Sequence, residues 1–150
     1  MDLRFITAQD SEYAGEVELR YRVLREPLGM TREQVFFPFE KESWHLVALD
    51  DGAVVGCVLF LPKGEKRGRL FQMAVAQALQ GRGIGRLLVR RLEQRARKKG
   101  FDEIFLHARD RAVGFYERLG YRITGEPFEE IGIMHRMMTK MHLVHSGNQT

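Results

Sequence analysis

The apolar positions of this chain change their period several times, and each change marks an element. Leu3-Arg4-Phe5-Ile6-Thr7 alternates residue by residue and predicts a short strand. After it, Asp10 or Ser11 can cap a helix in which Tyr13, Val17, Tyr21 and Leu24 recur at helical spacing. That helix should end near Arg25, because Pro27 disfavours helix in the residue before it and Gly29 follows. From Glu26 to Ser43 no period holds, and the segment reads as irregular or weakly helical. It carries Phe36, Phe37, Pro38 and Phe39, more aromatic surface than an idle loop needs.

His45 to Leu49 and Ala53 to Leu61 are apolar runs joined through Asp50-Asp51-Gly52, a strong hairpin signal. Pro62 to Gly68 turns the chain again, into a strand ending at Val75. Three antiparallel strands thus come in succession. Beyond them a long basic helix carries Ile84, Leu87, Leu88, Leu92 and Ala96 on one stripe, with Gly100 placed to end it. Glu103 to Ala108 is a further strand. Because a helix separates it from the strand at Val75, the two should pair parallel through a right-handed crossover. A last helix is predicted from about Arg111 to Leu119. There Phe115 shares a stripe with Ala112 and Leu119 and reads as core, so the adjacent Tyr116 faces elsewhere. The pattern is that of an α/β (α+β) protein, one domain over residues 1–150, with a mixed, mostly antiparallel sheet flanked by helices.

The chemistry concentrates between the strand ending at Val75 and the basic helix, at Gln80-Gly81-Arg82-Gly83-Ile84-Gly85. Three glycines in five positions let the backbone bend tightly and let a ligand approach the peptide N–H groups. A helix starting there leaves its first N–H groups unpaired at the positive end of its dipole, a site suited to phosphate. Arg82 and Arg86 add charge. A P-loop would require Lys-Ser or Lys-Thr after the glycines, and none is present. A dinucleotide fingerprint would place its glycines directly after the strand, whereas Ala76 to Gln80 intervene here, and Glu103 precedes the following strand instead of ending it.

Gln80-x-x-Gly83-x-Gly85 resembles the acyl-CoA signature of the GNAT N-acetyltransferase superfamily, Q/R-x-x-G-x-G/A. The preceding strand, Leu70-Phe71-Gln72-Met73-Ala74-Val75, has the family's usual ending, and Ala112-Val113-Gly114-Phe115-Tyr116-Glu117-Arg118-Leu119-Gly120-Tyr121 resembles its A-x-x-F-Y-E-x-L-G-F/Y. Within the family, Arg20-Tyr21-Arg22-Val23-Leu24-Arg25-Glu26-Pro27-Leu28-Gly29 and Gly132-Ile133-Met134-His135-Arg136-Met137-Met138 are similar to a small bacterial branch. The resemblance implies the GNAT fold, in which the parallel strand pair splays at its C-terminal ends. It implies acetyl-CoA as cosubstrate, contacted by Met73, Ala74, Val75, Gln80, Gly81, Arg82, Gly83, Ile84, Gly85 and Arg86. It also implies the Met73 N–H as oxyanion donor, Tyr116 as general acid, an acceptor site formed partly by the segment after the first helix, and a homodimer through edge strands as an option.

Two departures from the family pattern matter. Many relatives have a glutamate two residues ahead of Met73, where this chain has Phe71, and an asparagine three residues ahead of Ala112, where it has Arg109. Taking the proton of an amine, whose pKa lies near 10.4, therefore falls to another group or to water. His135 with Glu130 is the first choice because it lies in the branch motif, and His107, near the end of a strand, is the second. The chemistry expected is acetyl transfer to the primary amine of a small molecule or peptide. The rival is a non-catalytic acyl-CoA-binding module.

Composition narrows the setting. The chain of 150 residues is 44% hydrophobic, enough to bury about 70% of its unfolded surface. The lone Cys57 excludes an intramolecular disulfide and suits a reducing compartment. No apolar run approaches the ~18 residues of a membrane span. A cytoplasmic protein is expected. The net charge of +4 is concentrated in the basic helix, which a coenzyme phosphate and a solvated face explain without nucleic acid. Metal binding is not expected, since the histidines and Cys57 lack ligand spacing. Glu26, Glu40, Glu42, Glu129 and Glu130 are candidates to attract a cationic acceptor, and Ser146 to Thr150 are expected to fray.

Overall fold

The structure is a computed structural model that describes residues 1–141 and Leu143. The expected fraying of Ser146 to Thr150 lies outside the described residues. The chain divides into two compact units, one of Met1–Leu61 and Phe71–Gln94, the other of Pro62–Leu70 and the chain from Arg95 on.

In the first unit, β1 (Asp2–Ile6) pairs antiparallel with β2 (Trp44–Asp50), and β2 with β3 (Ala53–Pro62). The β2–β3 turn has positive φ at both Asp51 and Gly52, the two-residue geometry that Asp-Gly predicts. The first helix, α1 (Tyr13–Arg20), widens into a π turn over Tyr21–Arg25 and stops at Pro27, with Gly29 left-handed. Neither Asp10 nor Ser11 caps it. The Asp10 carboxylate turns back to accept the Thr7 N–H at 2.7 Å, so Glu12 stands at the cap without a side-chain bond. Leu19, Val47, Leu49, Cys57 and Ala74 form the core between this helix and the sheet. Phe37 and Phe39 stack on each other and close edge-on over Phe71.

Helix α2 (Ile84–Lys98) buries Ile84, Leu88, Val89, Leu92 and Ala96. Leu87 is not on the buried stripe as expected; it is 49% exposed, and Val89 takes the flanking place. Gly56 of β3 makes the packing possible, because a Cβ there would stand 3.0 Å from Ile84 Cγ2. Gly100, at φ 90, ends the helix, and the Phe101 N–H returns to the Ala96 carbonyl at 2.9 Å.

The strand β4 (Arg67–Val75), of which the residues as far as Leu70 belong to the second unit, starts earlier than its sequence suggests: the turn closes with Lys63 N–H on the Arg67 carbonyl, and Gly68 lies within the strand. Arg67–Arg69 pair parallel with Glu103–Phe105 of β5 (Glu103–Arg109), and the ladder ends after those three residues. Along its whole length β5 also pairs antiparallel with β8 (Ile133–Met141), which in turn receives β6 (Arg122–Ile123) and β7 (Phe128–Glu130). Helix α3 (Val113–Arg118) follows β5. The fold is therefore the expected mixed sheet with one parallel pair, β4 with β5, flanked by helices.

Candidate active site

Ala74 and Val75 end β4, and the loop after them is tied at both ends. The Ala76 N–H donates to the Val55 carbonyl at 2.8 Å, and the Gln80 side-chain amide donates to the Val75 carbonyl at 3.0 Å. Gly81 and Gly83 both have positive φ, and nothing lies within 4 Å of where a Cβ would stand on either. Those two positions need glycine, and they face open space. The Gly83 carbonyl accepts from Leu87 N–H, so Gly83 caps α2 and the N–H groups of Ile84, Gly85 and Arg86 have no partner within the helix. Arg82 and Arg86 are exposed beside them. This cradle fits a pyrophosphate. The side chains of Ile84 and Ala74 are buried in the core, so these two can contribute backbone alone.

One turn of chain earlier, Gln72 has φ 55 in the middle of β4, immediately before Met73. A non-glycine residue there costs about 1–3 kcal/mol and persists only where its surroundings over-determine it. Here they do. The Gln72 carbonyl accepts from the Cys57 thiol at 3.4 Å, and its side-chain oxygen accepts from Arg20 Nε at 3.2 Å. Phe71 before it is wedged under Phe37 and Phe39, and Ala74 after it lies in the core.

Arg20 anchors a buried polar cluster. Its guanidinium donates to Glu16 at 2.9 Å, to both carboxylate oxygens of Glu40 at 3.0 and 2.7 Å, and to the Val35 carbonyl at 2.8 Å. With the bond to Gln72, all five of its N–H donors are used. The cluster continues to His45, whose Nδ1 lies 2.9 Å from a Glu16 oxygen and whose Nε2 lies 2.8 Å from the Glu40 carbonyl. Both ring nitrogens meet acceptors only, so the ring carries both protons. Burial opposes that charge, but the Glu16 carboxylate outweighs it and holds the His45 pKa above its ordinary value. Burial likewise opposes the charge on Arg20, and Glu40 and Glu16 outweigh it. Tyr13 donates to Glu40 at 2.7 Å. Donor atoms of Glu16, Glu40 and His45 lie within 4.8 Å of one another, a spacing that would suit a metal ion, but Arg20 already bonds both carboxylates. Glu40, a candidate to attract an acceptor amine, is thereby neutralised inside the fold. Sequence reasoning missed this cluster, although Glu16 and Arg20, four residues apart, flank Leu19 on the inward face of α1.

In the second unit Tyr116 and Phe115 exchange the expected places: Tyr116 is buried and Phe115 partly exposed. Burial pushes the Tyr116 phenol well above its usual range. Its ring packs edge-on against Phe115 and Tyr121. Glu130 and His135 do come together, with His135 Nε2 3.8 Å from Glu130 Oε1 and Nδ1 donating to the Ile133 carbonyl at 2.8 Å. Glu130 Oε2 lies closer to His107, 3.1 Å from Nδ1, and Arg69 Nη2 approaches the same Nδ1 at 3.2 Å. Burial and the Arg69 charge hold the His107 pKa below its ordinary value against the pull of Glu130. Among the remaining candidate acids, Glu26, Glu42 and Glu129 are exposed. Arg109 is half-buried at the end of β5.

The chain is 30% identical over 136 residues to the N-acetyltransferase YjcF of Bacillus subtilis (strain 168), itself uncharacterised, covering 90% of this chain and 96% of that protein. Among solved structures, an aminoglycoside 6'-N-acetyltransferase complexed with coenzyme A superposes with a TM-score of 0.79 at 19% identity, covering 94% of this chain and 97% of that one. A GNAT family acetyltransferase of Elizabethkingia anophelis with acetyl-CoA bound gives 0.70 at 19% identity, covering 93% and 97%. No helix of the described residues is long and apolar enough to cross a membrane. The sequence profile of the acetyltransferase (GNAT) family matches residues 12–121, and the chain belongs to that family.

Proposed function

We propose that this protein transfers the acetyl group of acetyl-CoA to the primary amine of a small molecule or peptide by direct attack. The observation that carries this reading is the left-handed Gln72 in β4, directly ahead of Met73 and leading on to the glycine cradle of α2. The cradle, with Arg82 and Arg86, would hold the coenzyme pyrophosphate; the kink would present the Met73 N–H to the thioester oxygen as it gains charge. Such a donor is worth roughly 10²–10³ in rate. The amine nitrogen bonds to the thioester carbon, the carbon–sulfur bond breaks, and two protons must move. Tyr116 supplies the one needed by the departing thiolate, since its buried phenol stays protonated at neutral pH. Glu130 with His135, and His107 on the other carboxylate oxygen, receive the one from the amine. The neighbours solved with coenzyme A and acetyl-CoA support the choice of cosubstrate. The free, buried Cys57 fits a reducing, cytoplasmic compartment.

Calorimetric titration with acetyl-CoA tests the first half: wild type should bind and Gly83→Val should not, because valine is strained at φ 85 and crowds the cradle. Release of free thiol across a panel of amines tests the second, with Tyr116→Phe expected to lose about 10²–10⁴ in turnover. Binding by the wild type and by Tyr116→Phe alike, without any turnover, would instead favour the acyl-CoA-binding module. Absence of binding by the wild type would overturn both readings.

A further inference from the structure

We propose that Arg20 is a positioning residue for the acyl-transfer step, acting through Gln72 on the Met73 amide; this rests on the acetyltransferase reading above. The strand β4 has no reason of its own to adopt φ 55 at Gln72, since glutamine gains nothing there that extended backbone would not offer. The conformation is held from two sides. Arg20 Nε holds the side-chain oxygen at 3.2 Å, and the Cys57 thiol holds the carbonyl at 3.4 Å. The carbonyl and the Met73 N–H belong to one planar peptide unit, so fixing the carbonyl direction fixes the N–H direction opposite to it. A donor aimed by that plane is useful only if the plane does not rock, because a misplacement of about 1 Å can cost on the order of 10²-fold in rate.

Arg20 is suited to the task because it cannot itself move. It is fully buried, Glu16 and Glu40 hold four of its five N–H donors together with the Val35 carbonyl, and the fifth, on Nε, is the one on Gln72. Glu16 is in turn fixed by His45. The cluster therefore contributes no atom to the reaction; it converts a rigid buried ion network into a rigid peptide plane.

The test replaces the contact without emptying the cluster. Gln72→Met has nearly the same length but no acceptor for Nε, and Cys57→Ala removes the other hold. Gln72→Met is expected to lower kcat about 10–10²-fold while KM and the calorimetric Kd for acetyl-CoA stay within about twofold, since the cradle is untouched. Gln72→Glu, which restores an acceptor, should recover most of kcat. Hydrogen exchange at the Met73 amide should quicken in Gln72→Met and return in Gln72→Glu, a readout that does not depend on turnover. Unchanged kcat with unchanged Met73 exchange in Gln72→Met would overturn the proposal, as would a loss of kcat matched by an equal loss of coenzyme affinity. A wild type that turns over no amine while Met73 exchange responds as stated would sink the acetyltransferase reading and leave the Arg20–Gln72–Met73 coupling standing.

Discussion

Two polar clusters in this protein use the same residue types and end in opposite conditions. Around Arg20, two carboxylates, one guanidinium and one imidazolium are buried and mutually saturated: Arg20 uses all five donors, and both His45 nitrogens meet acceptors. The charges cancel, and each proton has one place to be. Around Glu130, two imidazoles and a guanidinium share a single half-exposed carboxylate, and His107 Nδ1 sits between a donor, Arg69, and an acceptor, Glu130. When protonated, Nδ1 can donate a hydrogen bond to Glu130, and when unprotonated it can accept one from Arg69, at similar distances. The first cluster is saturated and holds one shape; the second, in the reaction proposed above, would let a proton move.

The largest expected effect breaks the first cluster. Arg20→Met leaves the largely buried Glu40 without its cation and Glu16 with His45 alone, and removing one partner of a buried pair costs about 3–5 kcal/mol. At roughly 2–4 °C per kcal/mol for a chain of this size, the melting temperature should fall by about 6–20 °C in a calorimetric scan. A fall of a degree or two would mean that the cluster is relaxed or wet, and the contrast drawn above would lapse.

A smaller loss should follow from Glu130→Gln, and it should appear in a different measurement. Melting should change by no more than a couple of degrees, as expected for a half-exposed side chain, while turnover falls about 10²-fold if the carboxylate and its histidines take the amine proton. The wild-type rate should also hold to lower pH than an ordinary imidazole permits. A base works only when deprotonated, and burial and Arg69 keep His107 deprotonated below its usual value of 6.5. In Glu130→Gln the acid limb should move lower still, because the carboxylate that pulls that pKa upward is gone. An acid limb above 6.5 in the wild type would remove His107 from the base.

What could be read from the sequence differs between the two clusters for a physical reason. The β2–β3 hairpin, the parallel β4–β5 pair and the glycine cradle follow from local signals: an Asp-Gly turn, an intervening helix and closely spaced glycines, whereas the pairing of Glu130 with His135 rests on the family resemblance and is realised by the β7–β8 hairpin. The Arg20 cluster joins residues from α1, the aromatic loop, β2 and β4, up to 52 positions apart. No local period reports such a meeting. The apolar period of α1 says nothing of Glu16 and Arg20, and their mutual pairing is what lets them be buried. Leu87 and Val89 show the same limit at short range, since both lie near the edge of the α2 stripe and packing against β3 decides which one is covered.

The smallest expected effect sharpens the contrast by titrating the first cluster. His45 faces Glu16 through Nδ1 and the Glu40 carbonyl through Nε2, with the Tyr13 ring edge-on at 5.6 Å and Arg20 one carboxylate away. Its folded pKa is raised above the unfolded value near 6.5, so the folded state binds its proton more tightly than the unfolded chain does. The stabilisation is therefore complete below about 6.5 and is lost as the pH rises through the folded value. Melting followed upward from about pH 6.5 should show a decline in the wild type that is absent from His45→Gln, which has no proton to lose. Glu130→Gln should keep the wild-type decline, because the partners that hold the His45 proton are Glu16 and the Glu40 carbonyl. If the decline instead followed Glu130, the two clusters would have exchanged roles, and the saturation of Arg20 would be a feature of packing without electrostatic consequence.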